Sequence, residues 1–509
     1  MDVTAAASGL VAYAQAHDLI GPEDATWAYN RILEDVGAWG PGRVVPAGRG
    51  DYPDLDGLLS SLSRAAIERG VIADDATSED ELHMRVMGEL TPRPSEVARR
   101  FDDLLAERGP QAATDYFYRL SCDVDYVRRS AIARNVRWVT PTSWGDLEVT
   151  INRSKPEKDP RAIARVLTTP AGEAYPACQL CMENEGYSGH PAASGAKEHP
   201  ARQNLRIVPI ILGGERWGLQ YSPYAYYSEH CIAMSSEHRP MHVDGPALER
   251  LLDFVDLLPH YFVGSNADLP IVGGSILTHD HFQGGRHTFP MERAQVDETI
   301  QLGAFPGVEA GILRWPLTVI RLSSTDRGLL ARAATRVLEG WRGYSDPDVG
   351  ILARTDGVPH NTVTPICRKQ AGTYTFDLAL RCNVTTKQHP LGLFHPHEEL
   401  HHIKKENIGL IEAMGLAILP PRLEPELACV SEHLVSGDLE GLSSDPLSAS
   451  HATWACQVAS RHPEMDKGNV DAILRDEVGA VFGRVLEDAG VFKWDEDGRA
   501  ALARFVSTL

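Results

Sequence analysis

The chain has 509 residues, 43% hydrophobic and 23% charged, with a formal net charge of −21, a length that exceeds one ordinary core and predicts about two to four domains. So acidic a protein is a poor general binder of nucleic acid or of an anionic membrane, and any phosphate site has to be a local basic pocket. No apolar run is long enough to span a bilayer, and Met1-Asp2-Val3-Thr4 does not begin a secretory signal, so the expectation is a cytoplasmic protein.

Residues 1–120 read as helical. Apolar side chains recur at helical spacing over Leu10 to Ala16, Ala25 to Val36, Leu58 to Arg69 and Pro94 to Arg108. Trp39-Gly40-Pro41-Gly42 and Gly48-Arg49-Gly50 punctuate them as turns, and Pro94 suits a first helical turn. Strand-like runs follow at Leu147 to Ile151, Arg206 to Leu212 and His230 to Met234, interrupted by helical patterns at Ala247 to Leu258 and Ser324 to Gly340. A second strand-rich block runs from Thr373 to Leu380 and leads to a histidine cluster near residue 395. The tail turns helical again at Val470 to Ala489. The pattern predicts an α+β protein: a helical N-terminal region over 1–120, a first α+β half over 121–300, a second over 301–425 and a helical C-terminal region over 426–509.

The most informative segment is Ile271-Val272-Gly273-Gly274-Ser275-Ile276-Leu277-Thr278-His279-Asp280-His281-Phe282-Gln283-Gly284-Gly285. As a β-strand it would point His279, His281 and Gln283 to one face. Three polar side chains within an apolar run need polar partners, which a site supplies. The glycine pairs on either side allow backbone to approach a ligand, with N–H groups facing phosphate oxygens. A solvent-facing strand and a histidine metal site remain open alternatives.

Eight cysteines are too few for a disulfide scaffold in a chain of this length. Cys178-Gln179-Leu180-Cys181 has the spacing at which two thiolates clamp one tetrahedral metal. His238, in Ser235-Ser236-Glu237-His238, and His279 are candidates to complete a Cys₂His₂ zinc site. A redox pair is the competing reading, although the βαβ context of that motif is lacking.

Taken together, these residues resemble the galactose-1-phosphate uridylyltransferase family of the histidine-triad superfamily, and within it the second, long bacterial class. The likeness runs from about residue 85 to 425. It is dense in Ile151-Asn152-Arg153-Ser154-Lys155-Pro156-Glu157-Lys158-Asp159-Pro160, Cys181-Met182-Glu183-Asn184-Glu185-Gly186-Tyr187 and Gln220-Tyr221-Ser222-Pro223-Tyr224. It is densest from Asp268 to Gly285, where Thr278 departs from the small residue expected, and it returns at Phe394-His395-Pro396-His397-Glu398-Glu399-Leu400 and Glu406 to Glu412. The resemblance implies two histidine-triad-like α+β halves with antiparallel sheets and a homodimer. It implies exchange of a uridylyl group between UDP-glucose and galactose-1-phosphate, with His281 as the nucleophile and Gln283 as a donor to the transferring phosphoryl group. Cys178, Cys181, His238 and His279 match the zinc ligands of the family's other class.

In the second half, His395 and His397 stand where the other class places part of a second metal site. Lys405 and Glu412 match residues that contact the hexose and its phosphate, a cation for one and a carboxylate for the other. Arg368, Lys369, Arg381 and Lys387 could supply a local positive field. Asn204 and Arg206 are candidates for the uridine side, with Asn152 and Arg153 behind them. Three other readings compete: a UTP-dependent hexose-1-phosphate uridylyltransferase, a histidine-triad dinucleotide hydrolase or phosphorylase, and a zinc-stabilised binding protein. Gln283, where such hydrolases carry a third histidine, argues against the second.

Overall fold

The computed structural model describes residues 2–42, 54–153, 175–190, 199–274 and 276–509. The Gly48-Arg49-Gly50 turn, the stretch from Ser154 to Pro160 and Ser275 lie outside the described residues. The chain divides into two compact units interleaved in sequence. One comprises Met1–Ala133, Pro156–Ala225 and Glu229–Arg239, the other Arg134–Lys155, Tyr226–Ser228 and Pro240–Leu509. Among the described residues, no helix is long and apolar enough to cross a membrane.

In the first unit, the predicted helices form at Val3–Ala16, Ala25–Asp35, Leu55–Glu68 and Pro94–Arg108, joined by Ala76–Glu89 and Pro110–Asp123. Pro94 occupies the first turn of its helix, where a missing N–H costs nothing, and Val97, Phe101 and Leu104 form its buried stripe. Val208–Leu212, Glu215–Tyr221 and Cys231–Ser235 form antiparallel neighbours in that order. The helices cap this sheet through buried side chains. The Tyr221 hydroxyl donates to the Thr114 carbonyl at 3.2 Å, and its ring lies 5.2 Å from that of Phe117. The N-terminal helices and the strands after residue 200 thus share one unit.

The second unit contributes seven antiparallel strands, neighbours in the order His281–Gly285, Phe262–Gly264, Asn361–Gln370, Thr373–Cys382, Val319–Ser324, Glu309–Leu313, Val296–Ile300. Its centre is the hairpin pairing Asn361 with Cys382 through Gln370 with Thr373. Both strands are buried over nearly their whole length, which explains runs without apolar–polar alternation. Helices Gly245–Leu257 and Arg327–Gly343 pack on this sheet. A smaller sheet joins Val136–Thr142 to Gly145–Ile151 antiparallel, and Leu416–Leu419 to Gly145–Ile151 in parallel. Leu147, Val149 and Ile151 share one apolar cluster with Ile366 and Ala379 of the large sheet and with Val478, Phe482 and Leu486 of helix Val470–Ala489. Each such large side chain contributes about 1.5–3 kcal/mol on burial. The helical tail is therefore part of this core.

One charged group sits inside it. Asp377 is fully buried and is bound by Arg321 Nε at 2.6 Å, Arg321 Nη2 at 2.8 Å and Arg368 Nη1 at 2.7 Å. Burial alone would raise its pKa. The two guanidiniums outweigh burial and hold the carboxyl below its ordinary value.

Candidate functional site

His281 is the first residue of the strand His281–Gly285, and its side chain is buried. The expected strand through His279 does not form: Thr278 and His279 lie in a bend before it. The glycine segment ahead of it folds back on its own chain. Ile271 takes a φ of +73°, a Cβ on Gly273 would strike the Ala267 and Leu269 carbonyls, and one on Gly274 would stand 2.5 Å from Asn266 Nδ2. These glycines are needed for that close approach.

The bend creates a contact that an alternating strand would not. His281 Nδ1 lies 2.7 Å from the His279 carbonyl oxygen. A carbonyl only accepts, so Nδ1 carries the proton and Nε2 carries the lone pair. Burial holds the His281 pKa down to about 4, against a smaller upward pull from that carbonyl. The imidazole is neutral at physiological pH, with one nitrogen fixed and the other nucleophilic. Gln283, two residues along the same strand, is half-buried.

In the first unit, Cys178, Cys181 and His238 offer ligand atoms within 4.8 Å of one another. The two sulfurs are 3.6 Å apart, and Cys181 Sγ is 3.2 Å from His238 Nδ1. The loop is built to hold them. Leu180 N–H points at Cys178 Sγ from 3.3 Å, and Asn184 Nδ2 donates to the Cys178 and Cys181 carbonyls at 2.8 Å each. Asn184 Oδ1 in turn accepts from His199 Nε2 at 2.5 Å, and His190 and His199 exchange both backbone hydrogen bonds. Burial raises the Cys181 thiol above its ordinary range. Two sulfurs and an imidazole nitrogen are the donors of a zinc-type ion. His279, the fourth expected ligand, belongs to the second unit and is buried there.

The chain segment that carries the expected sugar-phosphate residues meets the start of the glycine segment through Asn266. Asn266, beside Gly274, accepts the Leu410 N–H on Oδ1 at 2.9 Å, and Asn383 Nδ2 donates to the Pro270 carbonyl at 3.2 Å. Lys405 is exposed, and its neighbour Lys404 is the buried cation that reaches Glu412 Oε1 at 3.0 Å. Glu412 Oε2 accepts the Gly409 N–H at 3.2 Å.

Of the four cations considered for the local field, Arg368 is bound to Asp377 and Lys369 to Asp256 at 2.6 Å, while Lys387 is exposed. Arg381 differs. It is buried, it donates to the Ile408 carbonyl at 2.8 Å, and its Nε and Nη1 have no hydrogen-bond partner among the described residues. Burial lowers its pKa to about 10, with Glu412 opposing. It therefore stays charged at neutral pH, with two buried donors unfilled among the described residues.

His395 and His397 are not drawn into one ligand set. His395 Nε2 contacts Asn407 Oδ1 at 3.3 Å, and His397 Nε2 contacts the Leu393 carbonyl at 3.2 Å. Among the described residues, neither belongs to a group of three or more metal-binding side chains. Arg206 commits four contacts to backbone carbonyls: Pro92 at 2.5 Å, Thr91 at 3.0 Å, Gln203 at 3.0 Å and Leu205 at 2.6 Å. Asn204 Nδ2 donates to Val124 O at 2.9 Å, and its buried Oδ1 keeps an unfilled acceptor among the described residues. Arg153 pairs with Glu424, and Asn152 is buried at the end of its strand. Sequence reasoning missed Asn184 and Lys404, whose partners are brought to them only by the folded loops.

Two family models match this chain: the N-terminal domain of galactose-1-phosphate uridyl transferase over residues 20–240 and its C-terminal domain over 254–456. The galactose-1-phosphate uridylyltransferase of Bacillus subtilis (strain 168) is 47% identical over 98% of this chain and 96% of its own length. Its namesake in Halalkalibacterium halodurans is 46% identical over 98% and 97%, and that of Streptococcus pneumoniae (strain Hungary19A-6) is 48% identical over 95% and 94%. Among solved structures, yeast Ap4A phosphorylase Apa2 matches at 12% identity with a TM-score of 0.31, over 67% of this chain and 90% of that one.

Proposed function

The chain belongs to the galactose-1-phosphate uridyl transferase family, and from that premise we propose that it moves a uridylyl group from UDP-glucose to galactose-1-phosphate through a covalent bond to His281 Nε2. The observation that carries this reading is the 2.7 Å contact between His281 Nδ1 and the His279 carbonyl. It supplies a neutral imidazole whose nucleophilic nitrogen needs no separate base.

In the first step the Nε2 lone pair forms a bond to the α-phosphorus. The bond from that phosphorus to the bridging oxygen breaks, and glucose-1-phosphate leaves with its electrons. Positive charge develops on the ring, and the His279 carbonyl is placed to stabilise it through Nδ1–H. In the second step a phosphate oxygen of galactose-1-phosphate attacks the same phosphorus. The P–N bond breaks, UDP-galactose leaves, and His281 is neutral again. Gln283 donates to the non-bridging oxygens as charge spreads over them.

Arg381 and the exposed Lys405 provide the cations for the sugar-phosphate. Glu412 keeps lone pairs for a sugar hydroxyl beyond those taken by Lys404 and Gly409. Asn204 Oδ1 is the acceptor offered to the uridine side, while Arg206 braces the chain before Val208–Leu212. Cys178, Cys181 and His238 would hold a zinc ion, with His279 as the fourth ligand that the family likeness assigns. When bound, the ion fixes the loop that carries the cysteines. We read the protein as a cytoplasmic homodimer, which sedimentation at twice the chain mass would support.

The test is isotope exchange. With galactose-1-phosphate omitted, labelled glucose-1-phosphate should enter UDP-glucose, because the first step stands alone. A full reaction without that exchange would remove the covalent route. Pyrophosphate release with UTP as sole donor would reassign the donor.

A further inference from the structure

A second set of metal-binding side chains lies far along the chain from Cys178 and takes no part in the uridylyl chemistry. Cys429 and His433 sit four residues apart on helix Leu423–Ser436 and so share one face. Asp445 comes from the loop that follows the helix. Ligand atoms of the three lie within 4.8 Å of one another, and His433 Nε2 is 3.9 Å from Asp445 Oδ2.

The surroundings are arranged for that convergence. His433 Nδ1 is 3.3 Å from Asp438 Oδ2, so its N–H points to a carboxylate and Nε2 is left as the ligand nitrogen. Asp438 is itself fixed, because its Oδ1 accepts the Gly441 N–H at 3.0 Å. Gly441 leaves room for this arrangement: a Cβ would strike Asp438 and would stand 2.7 Å from His433 Cε1. Asp445 is fixed in the same manner, with Oδ1 accepting the Leu447 N–H at 2.8 Å and Oδ2 left toward the histidine. Buried Ser448 anchors the loop by donating to the Leu442 carbonyl at 2.8 Å. A carboxylate–histidine pair behind a Cys-His-Asp face is the arrangement that orients ligands around a metal. A merely solvated loop does not require it.

We propose that Cys429 Sγ, His433 Nε2 and Asp445 Oδ2 bind one divalent transition-metal ion of the zinc type. A thiolate with an imidazole selects such an ion over magnesium or calcium. His433 and Asp445 are only partly buried, with side chains 18% and 38% exposed, so the fourth position is open to water. The thiol proton is released to solvent on binding. The bound ion staples the loop 437–448 to its helix, whose Leu423 and Val430 belong to the same apolar cluster as Trp315 and Leu416.

Cobalt(II) is the probe, because its thiolate complexes absorb. The full chain is stripped with a chelator and titrated with cobalt(II), with Cys178 and Cys181 intact throughout. Cys429→Ser and Asp445→Asn should each bind one equivalent fewer than wild type, and Cys429→Ser should lose part of the thiolate band. Cys456→Ser, at an exposed thiol on the following helix, should match wild type. Asp438→Asn should keep the equivalent but weaken it about 10- to 100-fold. Unchanged stoichiometry and affinity in Cys429→Ser and Asp445→Asn, with wild-type circular dichroism, would overturn the proposal.

Discussion

His281 Nδ1 donates to the carbonyl oxygen of His279, two residues earlier in the chain, over 2.7 Å. The contact exists because the strand starts at His281 and the chain bends just before it. In a continuous strand the His279 carbonyl would point sideways into the ladder. The bend turns it onto the ring, fixes the tautomer and frees Nε2.

Lys404 is a structural cation, and the exposed Lys405 beside it is the cation proposed for the ligand. Lys404 and Glu412 have side chains only 5% and 13% exposed. Lys404→Met leaves a buried carboxylate without its partner and should cost about 3–5 kcal/mol in urea unfolding. Lys405→Met should stay within about 0.5 kcal/mol of wild type in stability while raising the KM for galactose-1-phosphate. The opposite order of stabilities would contradict the pairing.

Asn184 holds both cysteine carbonyls. Asn184→Ala should lose about 1–3 kcal/mol of stability by leaving buried acceptors unmet. Its zinc should also leave at least about tenfold faster under chelator challenge, because the loop no longer presets the sulfurs. Zinc retention equal to wild type would detach Asn184 from the metal loop.

Arg381 should act on one half of the exchange. Arg381→Met removes a charged donor worth about 1.5–3 kcal/mol from the sugar-phosphate. Since the phosphate is common to both hexoses, the variant should raise the KM for galactose-1-phosphate and for glucose-1-phosphate in the exchange assay. The melting temperature separates this from simple unfolding. Unchanged KM values for both sugar-phosphates would reduce Arg381 to a brace for Ile408.

Asp377 predicts an acid limb. Its folded pKa is depressed, so its stabilisation is present above the unfolded carboxylate value of about 3.9 and is lost as pH falls through the folded value. Asp377→Asn should lose about 3–5 kcal/mol near neutrality, because Arg321 and Arg368 lose their buried counter-charge. The variant should also show a shallower fall in urea midpoint below about pH 4. A wild-type slope in the variant would show that other carboxylates govern the limb.

The helices were the most legible part of the fold. Pro94–Arg108 and Val470–Ala489 follow directly from apolar period and terminal residues. The shape of the histidine segment was not legible, because its alternation mimics a strand while Gly273 and Gly274 fold the chain back onto Asn266. The buried hairpin Asn361–Gln370 and Thr373–Cys382 was only half visible, since strands covered on both faces carry no alternation. The pairing of Lys404 with Glu412 needed the folded position of Glu412, which no local pattern encodes. The Cys178–Cys181 pair was legible from spacing alone, but Asn184 and His199 behind it were not, because their roles depend on loop closure.

The most direct measurement is retention of label from UDP-glucose radiolabelled in the uridine, incubated without acceptor and then denatured. Wild-type protein should keep close to one uridylyl group per active chain and release it when galactose-1-phosphate is added before denaturation. His281→Asn should keep none. A wild-type chain that makes UDP-galactose yet never holds label, or a His281→Asn chain that holds it, would contradict His281 as the residue that carries the group.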